Sequence, residues 1–361
     1  MSILRQATTV LGARLGYVRP LYVHYGVTHR CNMQCRMCVV WKEGNAAEEL
    51  APAAIRPMAD GLVEAGVRMV TLGGGEPFVR RDLPDVVAAF HERGSEVRIL
   101  TNGIGPSDEQ IDAVIAAGAR HVSISLDSLD PAKEQDIYGG KDVWNDIVDT
   151  MRRFRQRLQT PPSVPIMNVC VSRLNLDELA PLVAFAADEG FCCSFVPISL
   201  SPSEAESDGF AAADSELAVR PQDHAKLDDA YAQLLKLKRQ GAPIANTRRF
   251  LRDSREFLRS GRYGWCCDAG TLYFSISPQG GISICHHFPP VAQHDTPDLA
   301  RHLTSKAVRQ SAVSTRKQCA GCMRPCWAEL THAVHDLGSS VDAFRLIYQT
   351  PRQRIRDGKE L

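Results

Sequence analysis

The chain has 361 residues and a formal net charge of zero, from 42 basic and 42 acidic residues. This balance provides no bulk attraction to nucleic acid, so no nucleic-acid partner is expected. No apolar run reaches the roughly 20 residues that cross a bilayer. There are 12 cysteines and no convincing export signal. A reducing cytoplasm is therefore the expected location, and thiols there serve metals or catalysis more often than disulfides.

The segment that precedes the first predicted strand is basic. Residues 2–17 place apolar side chains near helical spacing, and no acidic residue precedes Glu43. A basic amphipathic helix of this kind suits peripheral contact with an anionic membrane surface. Packing of the same helix against the following domain is the alternative, and it is favoured because a short amphipathic stretch is weak evidence. Residues 1–20 are predicted to form an N-terminal extension.

Strand and helix signals alternate from residue 21 to about residue 200. The six predicted strands cover residues 21–27, 67–75, 96–103, 121–127, 164–172 and 191–199. Several of the helices between them end at a glycine, as at Gly94 and Gly118, which is the residue that helix C-termini prefer. This alternation predicts a parallel α/β sheet, either doubly wound or closed into a partial barrel.

Unusual residues follow the predicted strands where ligand groups of parallel sheets normally lie, at the carboxyl ends. In chain order they are Cys31, Cys35 and Cys38, then Gly73, Gly74, Gly75 and Glu76, then Thr101 and Asn102, then Ser125 and Asp127, then Ser172 and Arg173, and finally Pro197. Because these strand ends meet at one edge of a sheet, the sequence predicts a single site there.

Three cysteines on one loop dominate this predicted site. Cys31, Cys35 and Cys38 are separated by three and then two residues, and thiolates suit zinc or iron–sulfur clusters. Zinc normally takes four protein ligands, for which His29 is the candidate fourth. A 4Fe–4S cluster on three thiolates instead leaves one iron open to an external ligand. The spacing favours the cluster, because zinc ribbons favour paired thiols two residues apart.

The loop "VTHRCNMQCRMCVVW" at 27–41 resembles the signature of the radical S-adenosylmethionine (radical SAM) superfamily. Other stretches resemble superfamily motifs in the same order: "GGGEP" at 73–77, "SISLD" at 123–127, "VSRLNLDEL" at 171–179 and "FVPIS" at 195–199. The resemblance covers about residues 20–200. It implies a partial (β/α)6 barrel with a 4Fe–4S cluster on the three cysteines and SAM bound at the open iron, so residues 21–200 are expected to be a radical SAM core.

The same resemblance implies roles for individual residues. The glycine motif and its glutamate correspond to the part of the family that holds the methionine amino group of SAM. The end of the fourth strand corresponds to the part that meets the ribose. The end of the fifth strand corresponds to the part that contacts the methionine carboxylate. The residue before the third cysteine is usually aromatic and lies against the adenine, but here it is a methionine, whose thioether can still contact a ring. The cofactor-binding candidates are Gly73, Gly74, Gly75, Glu76, Asn102, Ser125, Asp127, Ser172, Arg173 and Met37.

The implied chemistry belongs to the cofactors. An electron from the reduced cluster cleaves SAM to a 5′-deoxyadenosyl radical, which takes a hydrogen atom from the substrate. The protein supplies position and exclusion of water, so no side chain is predicted to be catalytic. An external one-electron donor of the flavodoxin or ferredoxin type is expected.

A second group of cysteines lies near the C-terminus. Residues 201–260 are predicted to form a lid loop and linker helices, and residues 261–361 begin with a β-hairpin whose turn is at 278–281. Cysteines flank this hairpin and follow it, at Cys267, Cys285, Cys319, Cys322 and Cys326. They resemble the auxiliary-cluster extension of radical SAM enzymes, called SPASM in its long form and twitch in its short form. The resemblance implies a small cysteine-rich domain of hairpin plus helix.

One auxiliary 4Fe–4S cluster is expected rather than two, because five well-placed thiols are visible and no cysteine follows Cys326. The predicted ligands are Cys267, Cys285, Cys319 and Cys322, with Cys326 as the alternate. Structural zinc is the alternative for this group. Other polar residues near the presumed mouth have no catalytic role assigned to them: Tyr138, Asp268, His286, His287 and Arg324.

Three readings of the function remain open, and they fall into two classes. The main reading is hydrogen abstraction from a small-molecule natural-product, sugar or lipid-type substrate, assisted by one auxiliary cluster. The alternative is a maturase of a ribosomally made peptide. Because only about 20 residues precede the first strand, a leader-binding domain would then be a separate protein. A different class is a non-catalytic iron–sulfur electron carrier or sensor, which predicts no 5′-deoxyadenosine from protein, SAM and dithionite.

Overall fold

The computed structural model describes residues 12, 14, 19–43, 49–158, 163–198, 200–201, 211–212 and 216–348. The strands are β1 (Tyr22–Thr28), β2 (Met69–Gly74), β3 (Glu96–Thr101), β4 (His121–Ser125), β5 (Ile166–Val171), β6 (Cys192–Pro197), β7 (Leu200–Ser201), β8 (Ala211–Ala212), β9 (Tyr273–Ile276), β10 (Gly281–Ser283) and β11 (Pro290–Gln293). The first six coincide with the six predicted strands and pair in parallel in chain order, which confirms the α/β prediction.

Helices alternate with these strands and continue after them. They are α1 (Pro52–Ala65), α2 (Leu83–His91), α3 (Asp108–Ala116), α4 (Pro131–Ile137), α5 (Trp144–Arg157), α6 (Leu179–Asp188), α7 (His224–Gln240), α8 (Arg248–Ser260), α9 (Leu299–Leu303), α10 (Lys306–Gln318), α11 (Pro325–His335) and α12 (Leu337–Tyr348). Short 3-10 helices cover Val40–Glu43, Pro77–Val79 and Pro221–Asp223.

Two details of this helical layer differ from the sequence reading. The short helix α4 was not predicted, although Asp130 caps it by accepting a hydrogen bond from the Ala132 N–H at 2.9 Å. The sixth helix begins at Leu179 rather than at residue 176. The residues before it form a turn in which the Asn175 amide donates to the Asp127 carbonyl at 2.8 Å. That bond ties the turn to the end of β4, so those residues cannot continue the helix.

The two faces of the sheet differ in their solvent access. Side chains such as Val23 and Tyr25 are fully buried, and the ring of Tyr25 meets that of Phe90 in α2 edge to face. The alternate side chains, among them His24 and Arg98, are only half-buried. Because successive strand residues point to opposite faces, one face packs on the helices. The other lines a solvent-accessible space, which we call the barrel interior.

The C-terminal hairpin joins the same sheet. Strand β9 pairs in parallel with β1, with Tyr22 opposite Tyr273 and His24 opposite Ser275. Strands β10 and β11 then follow with antiparallel pairing. The described strands give the order β11-β10-β9-β1-β2-β3-β4-β5-β6. The predicted hairpin is thus confirmed, and it extends the barrel at its β1 edge. The division into 1–20, 21–200, 201–260 and 261–361 stays a prediction.

The predicted N-terminal amphipathic helix lies largely outside the described residues. Arg14 is described, and its guanidinium donates to the Val334 carbonyl at 2.8 Å and to the Ala333 carbonyl at 3.1 Å. This contact ties the N-terminal segment to the end of α11. No helix in the described ranges combines the length and apolar character that a bilayer crossing requires.

Candidate functional site

The loop after β1 carries Cys31, Cys35 and Cys38, whose side chains are all half-buried. Backbone hydrogen bonds fix its path. The Arg36 N–H donates to the carbonyl of Ile137, the last residue of α4, at 3.0 Å. The Cys38 N–H donates to the Cys35 carbonyl at 3.1 Å and closes a turn between these two cysteines. The unpredicted helix α4 therefore supports the cysteine loop.

Burial keeps these three thiols protonated in the absence of a metal. It raises the pKa of Cys31 to about 11. It also raises the pKa of Cys35, to which the charges of Cys38 and Cys31 add. A nucleophilic cysteine needs a lowered pKa, so nucleophilic catalysis is disfavoured. A metal cluster instead replaces the protons with positive charge, which suits three neighbouring thiolates.

The glycine motif after β2 lies directly against the backbone of the cysteine loop. Gly74 has φ +110°, and a Cβ there would be 2.2 Å from the Thr28 carbonyl oxygen. A Cβ on Gly75 would be 2.1 Å from the Arg30 carbonyl oxygen. The Gly75 N–H donates to the Thr28 carbonyl at 2.7 Å. Only glycine permits this close approach, so the motif is a cradle for the cysteine loop.

Charged side chains hold the start of the same loop. The Arg30 guanidinium donates to both oxygens of Glu49, at 2.8 and 3.0 Å, and the Thr28 hydroxyl donates to the same carboxylate. Arg80, which is almost fully buried, donates to the Val27 carbonyl at 2.8 Å. Such charge-assisted bonds are stronger than neutral ones, and they fix the end of β1 next to the glycine cradle.

Glu76 is buried and links the ends of β2 and β3. Its Oε1 accepts from the Phe78 N–H at 3.1 Å and from the Thr101 hydroxyl at 2.8 Å, and its Oε2 accepts from the Asn102 N–H at 2.8 Å. Burial raises the pKa of this carboxyl to about 7. The structure thus gives Glu76 a strong structural role, while its predicted contact with the SAM amino group stays a prediction.

Asn102 contacts the cysteine loop. Its amide nitrogen lies 3.8 Å from the Cys31 sulfur and donates to the Asn32 side-chain oxygen at 2.8 Å. Its own oxygen accepts from the Ile104 N–H at 2.9 Å, which fixes the orientation of the amide. A hydrogen-bond donor that faces a thiolate ligand tunes the bound cluster. Asn102 therefore faces the predicted metal site, and its predicted contact with SAM stays a prediction.

The end of β4 carries Ser125 and Asp127. Ser125 is half-buried. Asp127 is buried, its Oδ1 accepts from the Cys170 N–H at 2.6 Å, and its own N–H donates to both oxygens of Glu134 at 3.1 Å. Burial raises the pKa of both carboxyls. These bonds join β4 to β5 and α4, and the predicted ribose contacts remain to be tested.

The end of β5 carries Ser172 and Arg173 at the same edge of the sheet. The Ser172 N–H donates to the Asn175 side-chain oxygen at 3.0 Å, so this turn has a fixed shape. The Arg173 guanidinium lies 3.4 Å from Asp223. This ion pair would compete with the predicted contact between Arg173 and the methionine carboxylate, which stays a prediction.

Met37 belongs to an apolar surface beside the cysteine loop. It packs against Ile198 and Leu217, which are both buried. Ile198 lies in the stretch whose family counterpart is beside the adenine. The structure therefore brings Met37 together with the predicted adenine region, although the two are far apart in the chain.

Four of the C-terminal thiols also converge. Burial raises the pKa of Cys322 to about 11, and the charges of Cys267 and Cys319 contribute to this rise. Burial likewise raises the pKa of Cys285, with contributions from Cys322 and Cys267. These are the four predicted ligands of the auxiliary cluster, and the structure brings them together. Their identity as ligands stays a prediction.

The fifth C-terminal thiol faces another neighbour. Cys326 is exposed and lies beside Tyr22 of β1, whose pKa is raised by burial and then by the charge of Cys326. This orientation favours the four-thiol set without the alternate. A closer group consists of Cys285, His286 and His287, whose ligand atoms lie within 4.8 Å of one another. That spacing suits a single metal ion and keeps the zinc alternative open.

Sequence reasoning missed the residues that line the barrel interior. His24 lies on β1, and a Cβ on Gly73 would be 3.1 Å from its ring. Arg98 and Asn168 occupy equivalent inward positions on β3 and β5 and are half-buried. The available signal was the polar residue at every second position of otherwise apolar strands, which a sheet covered on both faces would not show.

These features fit a site for an iron–sulfur cluster and SAM. Residues 25–186 match the family model described as the Radical SAM superfamily, so this part of the chain is a radical SAM domain. The family takes a 4Fe–4S cluster and SAM, and the residues fit both. The loop presents three soft thiols, and the glycine cradle holds this loop. The apolar surface of Met37, Ile198 and Leu217 lies beside the loop and could contact the adenine ring.

The chain is also similar in sequence to two particular proteins. The chain is 28% identical over 172 residues to "PqqA peptide cyclase" of Xanthomonas campestris pv. campestris (strain B100), covering 47% of this chain and 45% of that protein. It is 33% identical over 159 residues to "Probable GTP 3′,8-cyclase" of Archaeoglobus fulgidus, covering 44% of this chain and 52% of that protein. The matches thus span about half the length of these relatives.

The fold also resembles that of Streptococcus suis SuiB bound to its precursor peptide SuiA. The TM-score is 0.62 at 16% identity, over 86% of this chain and 71% of that chain. At this identity the likeness supports the fold. It extends beyond the radical SAM domain into the C-terminal part of the chain.

Proposed function

We propose that this protein is a radical SAM enzyme that modifies a peptide substrate. The observation that carries the proposal is the three-thiol loop seated on the glycine cradle at the mouth of a solvent-accessible barrel interior. The cyclase named for a peptide and the SuiB structure with its precursor peptide support a peptide over the small-molecule, sugar or lipid-type substrate favoured by the sequence alone.

When bound, the cluster and SAM supply reductive cleavage of SAM and hydrogen-atom abstraction from the substrate. The chain positions these partners. Cys31, Cys35 and Cys38 hold the cluster, the cradle fixes the loop that carries them, and Met37 contacts the adenine. Polar residues of the barrel interior receive the substrate, and the surrounding protein limits access of water. The electron comes from an external donor of the flavodoxin or ferredoxin type.

The C-terminal thiols complete the proposal. Cys267, Cys285, Cys319 and Cys322 hold one auxiliary 4Fe–4S cluster in a SPASM- or twitch-like region. If both clusters are present, anaerobically prepared protein should contain about eight irons per chain. A content of about four irons per chain with near-stoichiometric zinc would instead show that a zinc site takes the place of the auxiliary cluster.

Isotope transfer tests the substrate class. The loaded protein is mixed with SAM, dithionite and a library of deuterated peptides. The expected result is deuterium in the 5′-deoxyadenosine, which shows that the hydrogen comes from the peptide. SAM cleavage without transfer from any peptide, together with transfer from a deuterated small molecule, would contradict the peptide assignment.

A further inference from the structure

The hydroxyl of Tyr273 contacts the sulfur of one of the predicted cluster ligands. The hydroxyl oxygen lies 3.1 Å from the Cys267 sulfur. The same oxygen accepts a hydrogen bond from the Asp268 N–H at 3.1 Å. The Tyr273 side chain is fully buried, so bulk water does not compete for the hydroxyl. The structure therefore fixes a hydroxyl directly against this thiol.

The turn between these two residues creates the contact. The Leu272 N–H donates to the Asp268 carbonyl at 2.9 Å. The Arg316 guanidinium of α10 donates to the Ala269 carbonyl at 2.9 Å. These bonds fold residues 267–273 back on themselves, so the hydroxyl and the thiol meet although they are six positions apart in the chain.

The ring of Tyr273 is held independently of its hydroxyl. It stacks on the ring of Trp327 in α11, with ring centres 5.4 Å apart and planes 5° from parallel. In the sheet, Tyr273 is opposite Tyr22 of β1. Because strand pairing and stacking do not involve the hydroxyl, Tyr273→Phe keeps both and removes the contact with sulfur.

The chemistry of the two groups decides the direction of this hydrogen bond. A hydroxyl offers one hydrogen and two lone pairs, and the Asp268 N–H already takes one of the lone pairs. A cysteine that binds a metal is a thiolate and has no proton to donate. When Cys267 is a metal ligand, the Tyr273 hydroxyl must therefore be the donor and the sulfur the acceptor.

We propose that Tyr273 donates a hydrogen bond to the Cys267 sulfur of the auxiliary cluster and thereby raises the reduction potential of that cluster. This inference rests on the auxiliary 4Fe–4S cluster of the proposed function. Reduction adds negative charge to the cluster and its thiolates, so a donor at sulfur stabilises the reduced state more than the oxidised state. A raised potential favours acceptance of an electron by this cluster over its donation.

A redox titration followed by electron paramagnetic resonance tests the inference. Cys31→Ala, Cys35→Ala and Cys38→Ala are combined in the full chain, so that the signal comes from the auxiliary cluster alone. In this background, Tyr273→Phe should lower the equilibrium constant of one-electron reduction by about tenfold, which is a shift of about 59 mV to lower potential. An unchanged or higher potential in an iron-replete Tyr273→Phe protein would overturn the inference.

Tyr231→Phe is the matched control. Tyr231 is fully buried in α7, and its hydroxyl has no hydrogen-bond partner among the residues that the structure describes. This variant should therefore keep the potential of the parent protein. An equal fall in potential in both variants would show that the effect is not specific to the hydroxyl at Cys267 and would contradict the proposal.

A second variant keeps the test decisive if Tyr273→Phe loses its iron. Tyr273→3-fluorotyrosine keeps the ring and the hydroxyl, and the fluorine makes the hydroxyl a stronger donor to a charged acceptor. The potential should then be higher than that of the parent protein. An equal or lower potential would refute the role of Tyr273.

The two proposals fail in different ways. Deuterium transfer from a peptide, with no fall in potential in Tyr273→Phe, would refute the role of Tyr273 and leave the peptide function intact. A fall in potential with no transfer from any peptide would refute the peptide function and leave the hydrogen bond standing. Zinc in place of the auxiliary cluster would overturn this inference without touching the choice of substrate.

Discussion

Replacement of Gly75 by alanine tests whether the glycine cradle seats the cysteine loop. The new Cβ would be 2.1 Å from the Arg30 carbonyl oxygen and 2.8 Å from the His29 carbonyl oxygen. Ordinary contact begins near 3.4 Å, so the backbone of the loop must move by roughly 1 Å, and overpacking of this kind costs about 1–3 kcal/mol. The φ of Gly75 is outside the left-handed region, so the effect is steric.

The expected result for Gly75→Ala is a lower unfolding temperature, less iron bound per chain and slower formation of 5′-deoxyadenosine. Gly264→Ala is the matched control, because a Cβ there meets nothing within 4 Å. The measurements are thermal unfolding and iron analysis of anaerobically loaded protein. A Gly75→Ala protein with the iron content and unfolding temperature of the control would refute the seating of the loop on the cradle.

Three further substitutions test other parts of the site and fold. Glu76→Gln should lose about 1.5–3 kcal/mol of unfolding free energy, because the new side-chain NH2 group must face a backbone N–H, that of Phe78 or that of Asn102. A denaturant unfolding curve identical to that of the wild type would contradict this. Met37→Ala should weaken SAM binding by up to about tenfold, as judged from thioether–ring contacts, while Met37→Phe should preserve it. The measurement is equilibrium dialysis, and equal SAM affinities of Met37→Ala and the wild type would show that Met37 does not contact the adenine. Burial raises the pKa of Glu329 to about 7, above its unfolded value. This carboxyl therefore favours the folded state most at low pH, and the advantage is lost as pH rises through 7. Glu329→Gln should accordingly gain stability relative to the wild type between pH 5 and pH 8, and a pH-independent difference in unfolding free energy would show that this carboxyl does not titrate in that range.

Local patterns were sufficient for much of the fold. Alternating strand and helix signals and the polar strand ends predicted the parallel sheet and the edge at which Cys31, Glu76 and Asp127 meet. They succeeded because a parallel sheet brings the carboxyl ends of its strands together whatever the details of the helices. The short helix α4 was not predicted, because the aspartate and proline at its start are a weak signal and the helix has only 7 residues.

Contacts between distant parts of the chain could not be predicted in this way. Nothing local indicates that Tyr273 pairs with Tyr22, so the hairpin was expected in a separate small domain and not in the main sheet. Substrate class also has no local pattern, and the peptide reading depends on relatives.

Formation of 5′-deoxyadenosine most directly tests the central claim, that the three-thiol loop supports radical SAM chemistry. Anaerobically loaded wild-type protein, SAM and dithionite should yield 5′-deoxyadenosine. Cys35→Ala should yield none, and Cys266→Ala, which removes an exposed thiol outside both ligand sets, should match the wild type. Undiminished product from Cys35→Ala, or no product from iron-replete wild-type protein, would contradict the account.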